Sequence, residues 1–175
     1  MKKGLLLIGA LILSASVFAS VDAAEGIVEV KAKVVQPLKM ETTPLDYGMM
    51  IPGQTIEYAE KLGSVKITGT PGERVKIELK TSEAEGYSNY KGSKELRNVE
   101  LTTGNGTAEN EKMISQTTMF NNDAVQGDAG IEDTGVVSLG STGERNFAVT
   151  GRITAAQNQK PGVYNGQIHV RAMYE

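Results

Sequence analysis

Cysteine is absent from the 175-residue chain, and histidine occurs once. Without cysteine no disulfide can staple the fold, and no lipid anchor of the cysteine-linked kind can form. Burial and hydrogen bonding must carry stability alone. A serine nucleophile needs a histidine partner, and a zinc site needs several His or Cys ligands. His169 is alone, so neither is expected, and the chain reads as non-enzymatic, with no metal and no cofactor. A basic cluster is also missing. The net charge is −3, which argues against nucleic acid as a partner. No stretch carries the apolar period of a long helix.

The start of the chain is different in kind. Met1–Lys3 is basic, Gly4–Ala19 is apolar but short for a membrane span, and small residues follow. This pattern predicts a secretory signal peptide over residues 1–23, cut after Ala23, with Ala19 as the second choice. Removing Lys2, Lys3 and Asp22 leaves 16 positive and 20 negative side chains, a net charge of −4. No second apolar run appears near the C-terminus, so no membrane anchor is expected after cleavage. The protein is expected to be exported, to the cell surface or the periplasm.

Residues 24–175 read as a single all-β domain. Apolar residues recur at every second position, and Gly, Pro, Asn and Asp punctuate them roughly every dozen residues. In Ala24–Gln36, Val28, Val30, Ala32 and Val34 share one face, and Glu29, Lys31 and Lys33 share the other. Pro37 ends the run. Short strands are expected at Leu38–Thr42, within Leu45–Ile51, and at Gln54–Ala59. Ser64–Thr70 and Arg74–Lys80 read as a hairpin across Pro71–Glu73. Further strands are expected at Glu95–Thr103, Lys112–Phe120, Thr134–Leu139 and Glu144–Ala155. Pro161 and Gly162 mark a turn before the terminal strand. There Tyr164, Gly166, Ile168, Val170, Ala172 and Tyr174 alternate with a wet face that includes His169. A terminal strand of this kind is expected inside a sheet. Two neighbours are expected for it: Phe147–Ile153 by hairpin, and Ile27–Gln36. The fold class is therefore a β-sandwich of short, mostly antiparallel strands.

Other polar clusters carry no chemistry by their spacing. Asn121, Asn122, Asp123, Asp128, Glu132 and Asp133 have oxygen ligands suited to calcium but not the spacing of its helix-flanked loop, and read as a solvated loop. Asn105-Gly106-Thr107 reads as a turn, and Glu83 and Glu85 as a wet loop.

The two ends resemble structural subunits of bacterial fimbriae. AEGIVEVKAKVVQP is similar to the donor extension of colonisation-factor-type pilins of the chaperone–usher class. GVYNGQIHVRAMYE is similar to their last strand, with Gly162 near its start and Tyr174 as the penultimate aromatic. The elements VVQPLKM, LDYGMMIPG, VKITGTPGERVKIEL and FAVTGRITAAQNQKPGVYNGQIHVRAMY look like a family of secreted bacterial β-proteins described only as a domain of unknown function. The stretch Thr81–Thr142 matches neither, and the cysteine pair of many pilins is missing. The resemblance implies an immunoglobulin-like, pilin-like sandwich that lacks one strand. Val28, Val30, Ala32 and Val34 of one subunit would plug a groove in the next, lined by Tyr164, Ile168, Val170, Ala172 and Tyr174. It also implies a self-polymer with a periplasmic chaperone and an outer-membrane usher as partners. Two alternatives stand beside it. Ile27–Gln36 can be the first strand of its own sandwich. The protein can also be a self-contained sandwich that binds glycan or a wall component, with Tyr58, Tyr87 and Tyr90 as candidate platforms.

Overall fold

The computed structural model describes residues 25–93, 95–122 and 134–175. The signal-peptide reading of 1–23, residue Ala24 and most of the acidic loop at 121–133 lie outside them. The chain divides into two units, the first ending at Lys33 and the second spanning Val34–Glu175. In the first, Glu25–Lys33 forms no strand and every residue is exposed. The alternation of this segment therefore belongs to a stretch without strand partners, contrary to the reading of Ile27–Gln36 as a first strand.

The second unit is all-β. Its strands are β1 (Lys39–Thr43), β2 (Thr55–Ile56), β3 (Gly63–Thr68), β4 (Arg74–Lys80) and β5 (Ser88–Asn89). They are followed by β6 (Arg97–Thr102), β7 (Lys112–Asn121), β8 (Val136–Ser138), β9 (Glu144–Thr154) and β10 (His169–Tyr174). One 3-10 turn, Glu109–Glu111, precedes β7. Two antiparallel sheets form. The larger runs β1-β3-β9-β7-β6, with β2 also on β9. The smaller runs β10-β4-β5, with β8 also on β4. Because β10 covers β4 from Val75 to Lys80 on one side, β5 and β8 share the other.

The period-two pattern explains the layers. In β3, Gly63, Val65 and Ile67 are buried while Ser64, Lys66 and Thr68 are half-buried; in β4, Val75, Ile77 and Leu79 point inward. With Tyr90, Met119, Val137, Leu139 and Phe147 they make the main core cluster. A smaller cluster of Met113, Ile153 and Ala155 lies apart from it, covered by Tyr47, Ile56, Leu101 and Tyr164 among others.

Most strand positions match expectation, but the strand expected within Leu45–Ile51 is only an isolated bridge from Asp46 to Lys61, and the expected hairpin pairings do not form. β3 and β4 are not a hairpin: β3 pairs with β1 and β9, and β4 with β10, β5 and β8. Pro71-Gly72 is a corner between sheets, held by Gly69 N donating to Gly143 O at 2.8 Å and Gly72 N to Gly140 O at 2.7 Å. Both strands have an apolar face, and a corner lets both faces close on one core, as a flat hairpin would not. The same correction applies to Phe147–Ile153 and the terminal strand. They lie in different sheets, and the neighbour of β10 is β4. Nor is β10 internal among the described residues. It is an edge strand that begins at His169, later than the alternation from Val163 implies.

Candidate functional site

The unit Val34–Glu175 contains a cleft of about 510 Å³ between its sheets. Packed interiors hold few voids larger than a water molecule, so this space is a departure from an ordinary core. Its cause is visible in β7. The inward row of that strand reads Met113, Ser115, Thr117, Met119. Met119 belongs to the main cluster and Met113 to the smaller one. Between them two short hydroxyl residues, each 2% exposed, replace the large apolar side chains that would join the clusters. Tyr47 Oη lies 2.5 Å from Ser115 Oγ, which lies 2.7 Å from Thr117 Oγ1. Arg97 and Glu95 line the same cleft. Their pair is 3.0 Å long, yet Arg97 Nε and Glu95 Oε2 are buried without a hydrogen-bond partner among the described residues. The space thus has apolar ends and a polar seam.

The rim includes Thr42–Leu45, where β1 ends, and Gln167–Val170, where β10 begins. Ile168, Val170, Ala172 and Tyr174 are half-buried and pack on the main cluster, as their shared face predicts. The other edge of β10 has no strand partner among the described residues. At the far end Tyr174 closes the structure. Its hydroxyl accepts from Thr70 N at 2.8 Å and donates to Gln36 O at 2.7 Å. Tyr164 does not share this row. It packs on the smaller cluster, and its hydroxyl donates to Lys160 O at 2.7 Å and accepts from Gln159 Nε2 at 2.8 Å. Pro161 and Gly162 form an exposed bend, and Gly162 faces Thr103 so closely that a Cβ would lie 2.4 Å from its Oγ1. The candidate plugs are all exposed: Val28 85%, Val30 91% and Val34 95%, with Ala32 between them.

Charge organises the outer face of the smaller sheet. Arg171 Nε donates to Glu78 Oε2 at 2.9 Å, its Nη2 donates to the same oxygen, and Lys76 Nζ stands 3.1 Å from Glu78 Oε1. These hydrogen bonds, Arg171 first, hold the Glu78 carboxyl below its ordinary pKa. The Arg171 guanidinium also lies 4.2 Å from the Tyr87 ring centroid. His169 Nε2 is 3.3 Å from Glu83 Oε1. Near Tyr164, Lys160 hydrogen-bonds Glu111 at 2.6 Å, which lowers the Glu111 pKa and raises that of Lys160.

Of the three candidate glycan platforms, Tyr90 is excluded. It is 1% exposed, meets Phe147 edge-on at 5.5 Å and donates to Met119 O at 2.9 Å. Tyr58 is 83% exposed, and Tyr87 is capped by Arg171. The polar seam was not singled out from sequence. Its only sequence signal is the Ser115 and Thr117 interruption of an otherwise apolar alternate row.

Fold and site define a class: a two-sheet antiparallel β-protein with an inter-sheet cleft beside a strand edge that has no partner among the described residues. No protein-family model matches the chain, and a search of curated proteins finds no match.

Proposed function

We propose that the protein is the structural subunit of a cell-surface fibre, joined by β-strand addition. Val28, Val30, Ala32 and Val34 of one copy enter the cleft of the next along the free edge of β10. Main-chain hydrogen bonds to β10 supply affinity, and alternate side chains filling the cleft supply specificity. The observation that carries this reading is a pairing of opposites within one chain. An alternating apolar segment stands exposed without a strand, and a cleft of about 510 Å³ stands unfilled beside an unpaired strand edge. An exposed run of valines and an open edge both favour association. Export through residues 1–23 and a chaperone that covers the cleft before assembly belong to the same reading, with an outer-membrane usher as the assembly platform.

Deleting residues 24–36, or introducing Val30→Asp with Val34→Asp, is expected to abolish a high-mass ladder that resists mild detergent in gel electrophoresis. Fibres of undiminished length from either variant would refute the donor role. A monomer that binds saccharides on a glycan array, with no ladder from the intact chain, would favour a solitary binding domain instead.

A further inference from the structure

We propose that Ala32 fixes the register of the incoming strand by lying over the Ser115–Thr117 seam; this rests on the strand-addition reading above. The cleft floor changes in kind along its length: apolar at Met119, hydroxyl at Thr117 and Ser115, and apolar again at Leu101, which packs on the Met113 cluster. The apolar row of the segment reads Val28, Val30, Ala32, Val34. One short side chain stands among three branched ones.

The seam has hydrogen-bonding capacity to spare. Tyr47, Ser115 and Thr117 carry three hydroxyl protons, and two hydrogen bonds link the three groups. One proton and several lone pairs are left for the space above. Valine methyl groups pressed on that floor would seal these polar atoms from any partner, which is unfavourable. The alanine methyl leaves room for a water molecule that bonds them. Valines at 30 and 34 then fall toward the two apolar ends.

Other registers are excluded by the same side chains. A slip of one residue turns Glu29, Lys31 and Lys33 into the cleft. A slip of two keeps the apolar face inward but sets a valine on the hydroxyls. Ala32 is therefore the residue that distinguishes one even register from the next.

The test uses monomeric full-length protein and fluorescent synthetic peptides spanning residues 25–36. Three peptides are compared by anisotropy: the natural one, Ala32→Ser and Ala32→Val. Ala32→Ser is expected to bind at least as tightly as the natural peptide. Ala32→Val is expected to bind about tenfold more weakly, the size of one unsatisfied buried polar group. On Thr117→Val protein most of that difference should vanish, which is the coupling a direct contact requires. Ser115→Ala protein provides the same readout should Thr117→Val not fold. Equal affinities for the natural and Ala32→Val peptides on unmodified protein would overturn the register while leaving strand addition intact. Failure of the natural peptide to bind at all would overturn strand addition itself.

Discussion

One phenol at the C-terminal end of β10 ties three distant segments together. Tyr174 accepts a hydrogen bond from Thr70, at the corner between the sheets, and donates one to Gln36, which itself donates to Thr70 Oγ1 at 2.7 Å. Gly69 makes room for this ring, since a Cβ there would stand 2.4 Å from the Tyr174 hydroxyl. Tyr174→Phe keeps the ring and removes both bonds, leaving the Thr70 amide without its acceptor. Its expected effect is a loss of about 1–2 kcal/mol in urea unfolding. An unchanged midpoint would show that water replaces the hydroxyl without penalty. The sequence marks Tyr174 as the last inward residue of an alternating strand. Its partners lie 138 and 104 residues away, and no local pattern points to them.

Strands β9 and β7 carry the larger sheet. β9 is flanked by β3 on one side and β7 on the other, and β2 extends its pairing. The two lie close at Gly151. A Cβ there would meet Gln116 O at 2.5 Å and Tyr47 Oη at 2.6 Å. Gly151→Ala must therefore push β7 or the phenol at the end of the hydroxyl chain. It is expected to destabilise the protein by about 1–3 kcal/mol, read from urea denaturation. The phenol displacement should also weaken binding of the 25–36 peptide. Neither consequence follows from the glycine alone, because alternation tells which face a residue occupies and not which strand lies beside it. The hairpins expected from nearness in sequence failed for this reason. β6 and β7, joined through Gly104–Gly106, are neighbours in both sequence and sheet. β3 and β4 are neighbours in sequence only.

Across the whole molecule the carboxylates make stability depend on acid. Glu78, Glu83, Glu85 and Glu111 all have pKa values below the ordinary one. The leading causes are the Arg171, Lys80 and Lys160 side chains and, for Glu85, the Thr81 amide. A folded-state pKa below the unfolded one means that the native state holds the ionised form more tightly. The resulting stability is complete above the unfolded value and is lost as pH falls through the folded one. Glu83 and Glu85 are solvent-exposed and screened, so Glu78 and Glu111, with side chains only 10% and 11% exposed, should contribute most, and Glu78 has two cationic partners. The thermal midpoint is expected to fall as pH drops below the ordinary glutamate range. In Glu78→Gln it should start lower and fall less steeply. Parallel pH profiles from circular dichroism for the two proteins would remove Glu78 from this role.

The sequence alone determined the all-β class, the positions of most strands and the inward row of β10. Each follows from local physics: a period of two marks a face, and proline and glycine mark its ends. Tertiary structure alone decided that β10 is an edge strand on β4, that Tyr90 is core, and that Pro71-Gly72 is a corner. It also placed Ser115 and Thr117 between two apolar clusters. These depend on which strands meet, and two strands with equally good apolar faces leave that choice to the closure of the whole core.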